Sequence, residues 1–517
     1  MSNFVVSSGG ELSLKVTDHD YDSQTGSGAG SLTISGAELT LSNSDNDYHG
    51  ATNIEAGAAL TLANDRVLGN TSLLNVDGNS TVSFGETNQT IGELQSSGVL
   101  TSTVGENAGT LTITNGGRAS GDNHNFHMDV ELSGTQVLTL TSAGALGDGD
   151  VTIVDADSQL VLEAIGSGTE TATVYGNSIQ GAGGISITSG ANVELTGENG
   201  FGSLTVGEDS TVSAEGDVYS HIGKGTLNLD GTADFTVTDT LTGDWIWNKK
   251  VSGTGVLMLG RTDSTNIERK LLLDADAIKD FEGTLSLENW NIVLDTADQT
   301  DGAPLAALSG SALETLVIGT GASADITGKV DLSNMTASVA SGTLSFSGVD
   351  APGGSNDEAA HLTVDRLELG SDFVIDLGVT DPDVEAGSLL TQDTASGTTV
   401  TVATGLNGIG GTLDGHVTVN GSEVAEDDTI RFNIQQTSTE EAKDGKVAEG
   451  IYGVVIKKTS GDGDAENLVV EYTLKGVDID DDRTLEMRGT SSDQNDDANT
   501  FGAYLTCLLY TSDAADD

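Results

Sequence analysis

Between Gly30 and Leu229 a short cassette keeps returning: a Gly, an apolar-polar-apolar triplet, a small or Gly-containing turn, and a second such triplet. Leu32-Thr33-Ile34 leads to Leu39-Thr40-Leu41, Ile185-Ser186-Ile187 to Val193-Glu194-Leu195, and Leu204-Thr205-Val206 to Val212-Ser213-Ala214. Side chains alternate across a strand, so each triplet turns two apolar residues to one side and its polar residue to the other. Short strands of this kind, separated by Gly turns, describe the coils of a β-solenoid. One coil cannot bury its inward residues alone; stacking Leu over Leu and Val over Val supplies the core.

Corresponding positions give the size of a coil. Leu39 to Leu60 and Leu41 to Leu62 are each 21 residues apart, Ile185 to Leu204 is 19, and Leu204 to Leu227 is 23. That length holds two or three short strands with their turns, the size of a parallel β-helix rung. At ~4.8 Å per stacked strand, roughly 24 rungs would extend on the order of 110 Å.

The charge needs a reason of its own. The 517 residues carry 20 Lys+Arg against 80 Asp+Glu, a net charge of −60, and 4% are aromatic. Such a balance is also a mark of disorder. Against disorder stand the 36% hydrophobic content, its ordering into triplets, and only three Pro (Pro304, Pro352, Pro382). The 69 Gly, nearly twice the usual share of about 7%, fit a chain that must turn a tight corner several times per coil. The acidity argues against nucleic acid, whose phosphates need Lys and Arg, and against anionic lipid. It favours solubility and resistance to lateral aggregation.

Cys507 is the only Cys, so neither an intrachain disulfide nor a cysteine metal site is expected. No apolar run is long enough for a transmembrane helix. Met1-Ser2-Asn3-Phe4-Val5-Val6 lacks the basic and apolar regions of a signal peptide. Residues 507–517, Cys507 to Asp517, match no period of the chain and resemble translated sequencing-adapter sequence, so they are expected to be a non-native tail.

A longer unit recurs as well. Leu60-Thr61-Leu62, five residues and Leu68-Gly69 match Leu138-Thr139-Leu140, five residues and Leu146-Gly147. The first copy is preceded by Tyr48-His49-Gly50-Ala51-Thr52-Asn53-Ile54-Glu55-Ala56-Gly57. This pattern resembles the passenger-associated repeat of bacterial autotransporters, and Val251-Ser252-Gly253-Thr254-Gly255-Val256-Leu257-Met258-Leu259 is similar to a second element of such passengers. The likeness is clearest over about residues 30–300. It implies a right-handed parallel β-helix exported through the outer membrane of a Gram-negative bacterium by a C-terminal β-barrel, and hence a fragment missing both ends. Family members include self-associating adhesins and biofilm factors. The implied role is therefore structural or adhesive, without catalysis or cofactor, toward host or bacterial surface ligands or a second copy.

The expected organisation is an all-β chain: parallel β-helix repeats over 1–350, a linker or long loop at 351–358, and further rungs or a β-rich insertion over 359–506. Helical turns are expected near Ala275–Phe281 and Leu305–Leu316.

Few groupings carry chemistry. There is no Gly-Asp-Ser-Gly or Gly-x-Ser-x-Gly nucleophile loop. Asp148-Gly149-Asp150 and Asp478-Ile479-Asp480-Asp481-Asp482 are the densest acid clusters open to a polysaccharide-degrading enzyme, and they read first as solvated turn acids. Gly147-Asp148-Gly149-Asp150 and Gly461-Asp462-Gly463-Asp464 resemble single copies of a calcium β-roll repeat, but that site needs tandem copies. Asp18-His19-Asp20-Tyr21-Asp22 starts like an EF-hand loop, with Ser23 where Gly is needed and Ala29 in place of the bidentate Glu. His124 and His127, three apart, would point to opposite faces of a strand, so no metal site is expected. Gly26–Gly30 and Gly408–Gly411 match no phosphate loop and read as turns. Trp245-Ile246-Trp247 sets two indoles on one strand face beside Asn248-Lys249-Lys250; inward packing of both rings in a wide rung is the expected reading, with Trp245 and Trp247 as candidate partner-binding residues in the alternative.

Overall fold

A computed structural model describes residues 4–6, 30–103, 108–238, 243–262, 269–295, 304–349, 360–379, 383–385, 398–411, 413, 416–420, 422–424, 429–436 and 445–479. Among these residues the chain is all-β, with most strands in long parallel sheets, an arrangement compatible with a β-solenoid. Short helices at Val218–His221, Ala275–Ile278 and Pro304–Ser309 interrupt them. The expected helical turns thus stop early: Asp280–Phe281 and Thr315–Ile318 are strands. The latter reads Thr-Leu-Val-Ile, a β-branched run that suits the pleat better than a helix.

The sequence period is the stacking register. Leu39 pairs with Leu60 and Leu41 with Leu62; Ile185 pairs with Leu204, and Leu204 with Leu227. Leu32 and Ile34 are completely buried, and Thr33 between them faces the other way. Leu138, Leu160, Ile185, Leu204 and Leu227 follow one another in a single column, all essentially inaccessible to solvent. Each aliphatic side chain so buried contributes about 1.5–3 kcal/mol.

Two compact units divide the chain. The first comprises Met1–Leu241, Lys249–Thr262 and Asp280–Gly283. Its spine is a 13-stranded sheet from Phe4–Val6 and Leu32–Ser35 to Val251–Gly253 and Asp280–Phe281. Further ladders flank it: one begins at Glu38–Leu41, another joins Gln89–Ile91 to Ile179–Gly181, and a third runs from Thr173–Tyr175 to Val256–Arg261. The strands Gln89–Ile91, Glu93–Ser96 and Val99–Thr101, consecutive in the chain, enter three different sheets. Successive strands of one repeat are thus shared among three sheets.

Turn residues tie each coil to the next. Buried Asn123 accepts a hydrogen bond from Leu100 N at 2.9 Å and donates to Ala145 O at 2.7 Å. Asn199 repeats the arrangement between Ile179 N and His221 O. Turn acids do the same from outside: Asp77 accepts from Ala56 N and Asp155 from Gly134 N, both at 2.6 Å. Hydrogen bonds from Ser80 and from the Ala56 backbone hold the Asp77 carboxyl below its usual range. Some of the acidity is thus spent on satisfying orphan backbone donors of adjacent coils.

The second unit comprises Thr242–Asn248, Asp263–Lys279 and Thr284–Asp517. This division falls inside the block expected to run to 350. The expected linker at 351–358 and the tail at 507–517 lie outside the described residues. Parallel pairing continues through Asn291–Asp295, Ser323–Thr327, Thr343–Val349, Val374–Val379 and His416–Val419. The pattern then changes. Thr398–Gly405, Glu466–Ile479, Gly445–Ser460 and Thr429–Gln436 are joined by antiparallel ladders. Ile409–Gly411 is a strand paired with Leu367–Leu369, correcting the turn expected at Gly408–Gly411.

Candidate interaction surface

The outward side of the 13-stranded sheet is built by the polar middle residue of each triplet. Because the strands stack in register, those residues form one continuous row: Thr33, Asn53, Asn75, Gln95, Arg118, Thr139, Val161, Ser186, Thr205, Asn228, Ser252 and, at its end, Asp280. Its members hydrogen-bond along the stacking direction. Asn53 Nδ2 donates to Thr33 Oγ1 and Asn75 Nδ2 to Asn53 Oδ1, both at 3.4 Å. Farther on, Asn228 Nδ2 donates to Thr205 Oγ1 at 3.4 Å, and Ser252 Oγ to Asn228 Oδ1 at 2.9 Å. In a chain with 80 acidic residues, the row reaches no carboxylate before Asp280. Its one cation, Arg118, forms an ion pair with Glu163 on the same face. On one flank Val137, Gln159, Ser203 and Thr226 are also uncharged, whereas Glu55, Glu93 and Glu163 share the row's side of their strands, and Ser186 within the row is buried.

Thr40, Thr61, Ser83 and Thr101 form a second uncharged row on another sheet, whereas two further rows carry acids. Glu194, Ser213, Asp234 and Met258 succeed one another in the ladder beginning at Thr173–Tyr175, and burial pushes the Asp234 carboxyl up. In the second unit, Asp325, Ser345, Asp376 and Thr418 share a row. Asn291 Nδ2 donates to Asp325 at 3.1 Å, and Ser345 Oγ to Asp376 at 3.3 Å. Burial raises the Asp325 carboxyl, opposed in part by the Asn291 hydrogen bond and by Lys270.

The two indoles do not form an exposed platform. Trp245 is 4% and Trp247 0% exposed. Trp245–Trp247 pairs in parallel with Leu271–Leu273, and the pleat that turns both indoles inward leaves Ile246 outside. Trp290 stacks on Trp245 with centroids 5.6 Å apart, and Trp247 meets Trp245 edge-on at 5.7 Å. The three rings form a core of the second unit. The sequence showed that both rings share a face; which face depended on Trp290, 43 positions after Trp247.

The acid and His motifs take structural places. His124 lies in the Asn123–Phe126 turn, not on a strand, and is exposed. His127 is largely covered, its Nδ1 2.6 Å from Asp148 Oδ1. The structure thus joins two motifs that were separate in the sequence. Asp150 N donates to Asp129 Oδ1 at 3.1 Å, and burial first and the Asp129 charge second raise the Asp150 carboxyl. Among the described residues no cluster of three or more His, Cys, Asp or Glu is placed to hold a metal ion. Gly461–Asp464 forms the turn between the two longest strands. Asp18–Asp22 and Asp480–Asp482 lie outside the described residues.

One buried cation was not foreseen as such. Lys249, 5% exposed, donates from Nζ to Ile222 O at 3.0 Å and Gly223 O at 3.1 Å, closing the end of the Val218–His221 helix. Burial holds its ammonium near 8, below the usual 10.5. No family model matches the chain, and no curated protein is significantly similar to it.

Proposed function

We propose that this chain is part of an autotransporter passenger, a right-handed parallel β-helix displayed on or released from a Gram-negative cell, serving as an adhesin or self-association factor. The observation that carries the reading is the outward row of the first unit. A register kept from Thr33 to Ser252 turns a short sequence repeat into one extended polar surface. That architecture suits contact with surface ligands or with another copy. The repeated Leu-Thr-Leu units at 60 and 138 supply the family resemblance.

Display of the chain on a non-adherent bacterial strain tests this directly. Aggregation of the displaying cells, or retention on host-cell or abiotic surfaces above an empty-display control, is the expected result. Unchanged settling and retention would remove the adhesive reading.

The rival is a polysaccharide-degrading enzyme, and its best footing is Asp325 and Asp376. They stand two strands apart, roughly 9–10 Å by strand spacing, near the upper limit for an inverting carboxylate pair. Their hydrogen bonds to Asn291 and Ser345 favour a structural ladder instead. Release of reducing ends from neutral or acidic glycans, abolished by Asp325→Asn, would establish the rival.

A further inference from the structure

We infer that Asn291 and Asp325, on adjacent strands of the second unit, form an acid-strengthened clasp: a proton taken up by the Asp325 carboxyl is donated to Asn291 Oδ1, so that two hydrogen bonds join the side chains. This property belongs to the second unit and stands apart from the adhesive reading.

The geometry leaves a place for that proton. Asn291–Asp295 pairs in parallel with Ser323–Thr327, Asn291 opposite Ser323, so the Asn291 side chain reaches Asp325 on the diagonal. Its Nδ2 donates to Asp325 Oδ2 at 3.1 Å. Its Oδ1 is buried and accepts no hydrogen bond from the described residues. An ionised carboxyl only accepts, so turning the amide over would set Oδ1 against it. The ionised pair is therefore limited to one bond and strands a buried acceptor, which costs free energy. A protonated carboxyl has one hydrogen to donate. Directed at Asn291 Oδ1, with Nδ2 still on the other oxygen, it closes an acid–amide ring.

The surroundings favour the neutral form. Asp325 is half-buried, and burial is the main cause that raises its carboxyl; Asp376, farther along the same row, adds repulsion. Hydrogen bonds from Asn291 and Ser345, and the charge of Lys270, oppose the rise. Ser345, on the strand between the two acids, has a single hydroxyl hydrogen to share. Its Oγ donates to Asp376 Oδ2 at 3.3 Å, and Thr418 Oγ1 donates to Asp376 as well. Donors thus gather on Asp376 and leave Asp325 as the acid to be protonated. Val293, Ser323, Thr327, Thr343 and Ser347, which surround Asp325 on this side of the sheet, carry no charge; Asp295 stands at the far end of Asn291–Asp295.

Folded Asp325 therefore keeps a proton in mild acid, where the unfolded chain, at the ordinary 3.8, has released it. Stability from this group is complete below the ordinary value and is lost as pH rises through the folded one. Tryptophan fluorescence reads the second unit alone, because Trp245, Trp247 and Trp290, the three Trp of the chain, all belong to it. Urea unfolding of the whole chain followed by that signal should give a midpoint that rises from about pH 7 to about pH 5. Asp325→Asn supplies the N–H that pairs with Asn291 Oδ1 without a charge. Its midpoint at about pH 7 should exceed the wild-type value, and its rise toward about pH 5 should be smaller. Asp325→Leu removes the charge but leaves the Asn291 amide without its partner, so its midpoint should fall below that of Asp325→Asn at both pH values.

An Asp325→Asn midpoint at or below the wild-type value at about pH 7 would make the ionised carboxylate the stabilising form and overturn the clasp. Equal midpoints for Asp325→Asn and Asp325→Leu would reduce the effect to the burial of a charge, and would overturn it too. So would an acid-side rise that survives Asp325→Asn unchanged, since other groups would then supply it.

Discussion

The coils of residues 32–237 and the antiparallel strands of residues 445–479 are both β-sheet, yet they obtain their order from different sources. In the coils, every strand pairs with strands about 20 residues away, and the partner is a copy of itself: Leu204 lies between Ile185 and Leu227. In the hairpin, Gly445–Ser460 pairs with Glu466–Ile479 across the turn at residues 461–465. Gly461 N donates to Ala465 O at 2.8 Å there. Coil order is therefore set by repetition and read by stacking, while hairpin order is set by one turn. An error in a coil is felt by the coils on both sides; an error in the hairpin is met by one partner strand.

The widest gap between the two should appear when a carboxylate is introduced. Leu229 is completely buried, in register with Val206. Leu229→Asp should cost about 5 kcal/mol, because an unpaired charge would replace an apolar contact on the stacking axis. Val455, 49% exposed in the hairpin, should tolerate the same change within about 0.5 kcal/mol. Urea unfolding followed by circular dichroism compares them. Equal losses would mean that coil packing does not carry the stability argued for it.

Glycine separates the regions by a second mechanism. A Cβ on Gly225 would lie 1.4 Å from the carbonyl oxygen of Gly202 in the adjoining coil, so Gly225→Ala must push two backbones apart. The expected cost is about 3 kcal/mol. Gly463, at φ +70° in the hairpin turn, has nothing within 4 Å of that position. Gly463→Ala there should cost only the left-handed conformation, about 1–2 kcal/mol. Thermal denaturation of both variants decides whether close approach or backbone conformation is the stricter demand.

This contrast also explains what the sequence could reveal. The triplets at 32, 185 and 204 are legible because a coil must repeat its inward residues to stack them, and the spacing of Leu39 and Leu60 is the register itself. The antiparallel strands have no such repeat; Leu468-Val469-Val470 announces a strand without naming its partner. The same limit applies to sites. The neutral row could not be seen as a row until register placed Asn53 beside Asn75 and Thr205 beside Asn228. The Trp245 and Trp247 pair was visible, but its inward direction was decided by stacking with Trp290. Lys249 appeared as half of a surface-like Lys-Lys pair because the carbonyls it closes come from Ile222 and Gly223, one coil earlier.

Lys249 makes that coil-to-coil dependence measurable through pH. Its folded value is near 8 against 10.5 for the free side chain, with burial as the cause. Between pH 8 and 10.5 the unfolded chain still holds a proton that the folded chain has released. Stability from this group therefore rises with pH across that window and is absent below it, to a total of up to about 3 kcal/mol. Lys249→Met should flatten the rise in urea midpoint between pH 8 and 10.5. A rise that persists unchanged in the variant would assign it to other groups.

The smallest effect belongs to the hairpin's own lysine. Lys457 Nζ meets Glu471 Oε2 at 2.6 Å across the strand pair, with the lysine side chain 47% exposed. Water and salt screen such a pair, and ordering two long side chains offsets much of the attraction. Lys457→Ala should therefore cost less than about 0.5 kcal/mol in urea unfolding at neutral pH, and less again at high salt. The comparison is sharp because both lysines belong to an acidic chain and only one has a carboxylate partner. If Lys457→Ala proved as damaging as Leu229→Asp, ion pairing would be a main source of order in the hairpin. A small loss would leave its turn and backbone ladder in that role, as stacking holds the coils.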